Sequence, residues 1–147
     1  MAEKPSGGTT SVVTMLDSTL ESVDAAEEIV LKAAEEMGFD EDSRYQIGMA
    51  VRESVVNAVV HGNRYSERKK VRLSVVKGDD RLTILVADEG QGFDPSSIPD
   101  PLAQENLLNQ SGRGIFLMKT FMDEFQVRPV EPTGTEFVLV KYLNRKA

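Results

Sequence analysis

Leu20, Val23, Ala26, Ile29, Val30, Ala33, Ala34 and Met37 recur every three or four residues, and Gly38 follows them as a stop. That period predicts an amphipathic helix, with Ser18 or Thr19 as its N-cap. A second helix is predicted over "DEDSRYQIGMAVRESVVNAVVHGN", residues 40–63. Its first turn is acidic, which suits the positive end of the helix dipole, and Gly62 is placed to end it. Ile47, Met49, Ala50, Val51, Val55, Val56, Ala58, Val59 and Val60 leave this helix apolar nearly all round, the pattern of a buried helix. Ahead of both helices, "SVVTML" reads as a short strand from its β-branched content. The runs "VRLSVVKG" and "RLTILVADEG", joined through "GDD", read as a β-hairpin. A third helix is expected in "GRGIFLMKTFMDEF", and closing strands in "FQVRPV" and "GTEFVLVKYL". Between the hairpin and the third helix, residues 93–111 carry three prolines and little periodicity, a loop long enough to be either functional or disordered. Residues 1–10 are expected to form a flexible polar arm and residues 11–147 a single domain. The sum is an α+β fold, a two-layer sandwich of three helices on one face of a mixed, largely antiparallel sheet.

Composition narrows the function classes. At 147 residues the chain has room for one domain and one site. A net charge of −7 disfavours direct binding to nucleic acid or to an anionic membrane surface, both of which reward clustered Lys and Arg. With no cysteine there is no disulfide framework, and no run approaches the length of a membrane span. A cytoplasmic soluble protein is the expectation.

Candidate chemistry starts within "RESVVNAVVHGN". Steps of four on an α-helix align Glu53, Asn57 and His61 as a polar stripe on an otherwise apolar helix. A carboxylate and an amide in such surroundings cost several kcal/mol unless partners meet them. Those partners could be the backbone of a neighbouring loop, with His61 capping the helix C-terminus, or they could be a ligand. Zinc is disfavoured because the spacing is not H-E-x-x-H, whereas an amide oxygen suits a hard cation such as Mg²⁺, which is commonly shared with phosphates. Two glycine loops bear on the choice. In "ADEGQGF" a strand runs into Asp88, Gly90 and Gly92. In "SGRGIFLM", Gly112 and Gly114 precede a helix, where free N–H groups and the dipole make an anion site. Neither a P-loop nor a dinucleotide G-x-G-x-x-G in a βαβ unit is present.

Taken together and in this order, "ESVVNAVVHGN", "DEGQGF", "GRG" and "GTEF" resemble the N box and the glycine boxes of the GHKL superfamily of ATP-binding domains, over roughly residues 12–142. Within it, the small size, "NAVVHGN" and "SGRGIFLMKTFMDEF" look most like the bacterial anti-sigma-factor serine kinases. The resemblance implies a Bergerat-type fold that binds ATP with Mg²⁺. It implies that Asp88 accepts a hydrogen bond from the adenine amino group, assisted by Thr135, and that Gly90 and Gly92 let the backbone approach the base. It makes Asn57 the Mg²⁺ ligand and Glu53 the general base toward the acceptor hydroxyl. Residues 93–111 become a lid, and Gly112, Arg113 and Gly114 wrap the phosphates. His61 and Gly62 shape the phosphate end, with Phe93 and Ile115 as further nucleotide contacts. The partners implied are an anti-sigma-factor antagonist as substrate, a sigma factor, and a second copy in a homodimer. A nucleotide-gated binding module without phosphotransfer is the alternative; Glu53 favours the kinase, because a pure binding module needs no base there.

Overall fold

The computed structural model describes residues 9–90 and 114–143. Five strands, β1 (Thr10–Asp17), β2 (Lys70–Lys77), β3 (Arg81–Ala87), β4 (Glu124–Pro129) and β5 (Thr135–Tyr142), form one sheet in the order β1-β2-β3-β5-β4. All four pairings are antiparallel, so the mixed sheet expected from sequence has no parallel pair among the described strands. Helices α1 (Glu21–Met37), α2 (Glu41–Val56) and α3 (Gly114–Phe121) pack together on the sheet. Strand alternation decides which face they cover. Leu16, Val71, Leu73, Val75, Ile84, Val86, Phe137 and Leu139 are buried against Val30, Ile47, Val51, Val55 and Met118 of the helices in one core.

On the opposite face, one cross-strand row holds Met15, Arg72, Ala87, Glu136 and Arg128. The small Ala87 lets Arg72 reach across β3 to Glu136, which also accepts from Arg128 Nε at 2.8 Å. This row aligns the ends of β3 and β5. Asp88 and Thr135 extend that alignment by one step, through a bond from Asp88 N–H to Thr135 O of 2.9 Å.

Local details depart from the sequence expectations where side chains find longer-range partners. Neither Ser18 nor Thr19 caps α1; the N-cap is Leu20, with no side-chain hydrogen bond. Ser18 instead donates to Lys69 O, across the molecule. Asp40 does cap α2, accepting from Ser43 N–H at 2.8 Å. The α-helical winding of α2 stops at Val56, six residues short of the expected Gly62, and residues Asn57–Gly62 form a wider π-helical turn closed by Asn63 N–H on Ala58 O at 2.7 Å. Helix α3 stops at Phe121, so Glu124 and Phe125 belong to β4 rather than to the helix. Its C-terminal carbonyl, Phe121 O, accepts from the buried Lys141 of β5, whose ammonium also donates to Gln46 of α2 at 2.6 Å. The expected N-terminal arm lies outside the described residues except at its end, where Thr10 already belongs to β1.

Candidate functional site

Two clusters of predicted residues assemble at the two ends of the π-helical turn. The first surrounds Asp88, which is only 5% exposed. Its Oδ1 accepts from Gly90 N–H at 2.9 Å and from Thr135 N–H at 3.2 Å. Glycines crowd it on the other sides. A Cβ on Gly62 would stand 2.2 Å from Asp88 Oδ2, and one on Gly90 would stand 2.2 Å from Gly62 O. Gly134, at φ +132°, would put a Cβ 2.2 Å from Asp88 O. Contacts this short admit no side chain, so the loop after β3, the end of the π turn and the start of β5 fit only as glycine meeting glycine around one carboxylate. Burial pushes the Asp88 carboxyl above its ordinary 3.8, and the N–H donors of Gly90 and Thr135 together with the Lys69 charge only partly offset this. The result is a buried acceptor with one oxygen committed to the backbone and the other beside Gly62.

The second cluster gathers Glu53, Asn57 and Gly114. Asn57 is buried, and its Nδ2 donates to Glu53 O at 2.8 Å, which sets the amide orientation and turns Oδ1 away from that carbonyl. A Cβ on Gly114 would lie 2.6 Å from Glu53 Oε1 and 3.3 Å from Asn57 Nδ2. The first residue of α3 therefore sits directly against the carboxylate and amide of α2. A helix N-terminus with free N–H groups, a hard amide oxygen and a carboxylate make a place suited to a polyphosphate and a divalent cation. Asn57 Oδ1 would supply an oxygen donor to the cation, and the Glu53 carboxylate stands beside it.

Other predicted residues fall elsewhere. His61 is exposed, because the π turn that begins at Asn57 rotates it out of the α-helical stripe that spacing alone predicted. Ile115 is buried in the hydrophobic core, so its side chain is a packing element and only its backbone N–H could face a ligand. Gly92, Phe93, Gly112, Arg113 and the expected lid at 93–111 lie outside the described residues.

A buried acceptor thus lies at one end of the turn, and a helix N-terminus beside a carboxylate and an amide at the other. A family model described as the histidine kinase-like ATPase domain matches residues 16–141. The chain belongs to the histidine kinase-like ATPase family. It is 35% identical over 119 residues to the serine-protein kinase RsbW of Bacillus subtilis (strain 168), covering 76% of this chain and 72% of that protein. Over 105 residues it is 33% identical to the anti-sigma F factor of Clostridium beijerinckii, covering 70% of this chain and 73% of the relative. Among solved structures, the RsbU and RsbW domains of a Mycobacterium tuberculosis protein superpose with a TM-score of 0.66 at 19% identity. That match covers 94% of this chain and 34% of the other, so this chain spans about a third of that polypeptide and the likeness is one of fold.

One residue of this ATPase domain was not singled out by sequence reasoning. Asn63, at the end of the π turn, is 1% exposed and hydrogen-bonded at every polar atom of its side chain. It closes the "ESVVNAVVHGN" stretch, but after the predicted helix stop an asparagine passes for an ordinary turn residue.

Proposed function

We propose that this domain is an ATP-dependent protein serine kinase of the anti-sigma-factor class, which phosphorylates an anti-sigma-factor antagonist and sequesters a sigma factor. The observation that carries the reading is the contact of Gly114 with Glu53 and Asn57, since it puts a carboxylate at the helix end where a γ-phosphate would rest. Family membership and the named kinase and anti-sigma relatives support it.

In this reading Asp88 Oδ2, beside Gly62, accepts from the adenine amino group, and guanine is rejected because it presents an acceptor at that edge. Asn57 Oδ1 would hold Mg²⁺, whose charge would offset that of the triphosphate. Glu53 orients the serine hydroxyl of the partner and takes its proton as the serine oxygen bonds to the γ-phosphorus and the bond to the β-phosphate oxygen breaks. Thr135 and Gly90 hold Asp88 through their backbone N–H groups, and Gly62 leaves room for the base. Gly114, at the head of α3, leaves room for the phosphates beside Glu53 and Asn57; Gly92, Phe93, Gly112 and Arg113 are assigned to the nucleotide by the family resemblance alone.

A second copy is part of the proposal. The two sheet edges differ: β4 is short and carries Glu124, Arg128 and Pro129, features that discourage pairing, while β1 is eight residues long and leaves Val12, Val13 and Met15 more than half exposed. An edge of that kind is suited to association with its own kind. The protein acts in the cytoplasm, where its partners would be found.

The deciding experiment is incubation of the protein with γ-labelled ATP, Mg²⁺ and candidate antagonist proteins. Label on a partner serine is expected, and Glu53→Ala should abolish it while ATP affinity stays within about twofold. Nucleotide binding with no transfer to any candidate would favour a nucleotide-gated binding module instead.

A further inference from the structure

Asn63 links three separate parts of the chain through one amide. Its Nδ2 donates to Ser18 Oγ at 2.9 Å and to Lys70 O at 3.0 Å, and its Oδ1 accepts from Glu89 N–H at 2.7 Å. That last N–H belongs to the peptide joining Asp88 to Glu89. Gripping this peptide fixes the backbone immediately after the buried carboxylate, and with it the direction in which Asp88 leaves the chain. The next residue, Gly90, returns its N–H to Asp88 Oδ1. Asn63 itself is held without freedom to shift. Its backbone N–H closes the π turn on Ala58, and the two following residues, Arg64 and Tyr65, take left-handed φ values of 53° and 61°, with Tyr65 N–H bonded to Val59 O at 2.9 Å. Non-glycine residues adopt such angles only where the surroundings demand it.

We propose that Asn63 is a positioning residue for base selection: its amide oxygen sets the Asp88–Glu89 peptide so that Asp88 meets adenine, while its amide nitrogen ties that loop to β1 and β2. The proposal rests on the assignment of Asp88 as the adenine acceptor. The two halves of the amide do different work, which makes them separable. Aspartate at this position, ionised or protonated, keeps an oxygen for Glu89 N–H but not the pair of donors for Ser18 and Lys70. Alanine keeps neither.

The test compares wild type, Asn63→Ala and Asn63→Asp by competition titration of ATP against GTP, by thermal melting, and by amide hydrogen exchange at Glu89 without nucleotide. Asn63→Ala is expected to lower the ATP-over-GTP preference at least tenfold and to speed Glu89 exchange at least tenfold. Asn63→Asp is expected to melt at lower temperature than wild type yet keep its preference within about threefold. A purely structural staple would weaken both nucleotides alike and leave their ratio unchanged in Asn63→Ala, which would overturn the proposal. Should Asn63→Ala not fold, loss of the preference in Asn63→Asp overturns it equally. If wild type shows no preference for ATP, the Asp88 assignment fails instead; faster Glu89 exchange in Asn63→Ala would still uphold the loop-setting role, and unchanged exchange would end it.

Discussion

Asp88 answers two conflicting demands. Burial raises its carboxyl above 3.8, so the native state holds that proton more readily than the unfolded chain does. Its own contribution therefore works against folding at neutral pH, and the penalty fades as pH falls from the raised value toward 3.8. ATP binding should move the other way, since acceptance from the adenine amino group is best done by the ionised form. Affinity for ATP is expected to weaken on acidification with a midpoint above 3.8, measured by calorimetry across pH. Asp88→Asn keeps an oxygen for the N–H groups of Gly90 and Thr135 while removing the buried charge. Its melting temperature at pH 7 should equal or exceed that of wild type, while discrimination of ATP from GTP is lost. A joint fall in both readouts would contradict this account of the carboxylate.

At the scale of elements, the glycine at the head of α3 and the central strand make contrasting predictions. In Gly114→Ala the new methyl meets the far end of the Glu53 side chain, which can swing aside, so the fold should survive with melting within a few degrees of wild type. Phosphotransfer should fall at least tenfold because the displaced atom is the carboxylate oxygen itself. Ile84→Ala, at a fully buried site on β3, should cost about 2–5 kcal/mol in urea unfolding without a specific effect on nucleotide preference. Most elements were legible in the sequence, because alternation of Val71, Leu73 and Val75 against Leu82, Ile84 and Val86 is hard to read as anything but a half-buried hairpin. The π turn was not legible: nothing in "NAVVHG" itself signals a change of winding, and the turn ends with Gly62 packed against Asp88, a contact 26 residues away in sequence. The α1 cap failed for a similar reason, since Ser18 serves Lys69 and Asn63 instead. Glu53 and Asn57 were readable as one stripe from helical spacing, and their grouping with Gly114 only because the boxes occur together and in order; the exposure of His61 and the burial of Ile115 depend on winding and packing that spacing does not encode.

For the molecule as a whole, the open β1 edge is the feature most exposed to test. Val13 and Met15 lie on the sheet face that carries no helix, at 58% and 54% exposure. Replacing both with lysine should halve the mass measured by light scattering at micromolar concentration while leaving ATP affinity within about twofold. An unchanged mass in a dimeric wild type would place the contact elsewhere.

Lys141 secures the far end of α3. The ammonium clamps the last carbonyl of α3 to β5 and α2, and the helix is eight residues long, about 12 Å from end to end. Ile115 and Met118, buried in the core, hold the same helix nearer its head. With both ends secured, the spacing between Gly114 and the Glu53 carboxylate is set by the body of the domain.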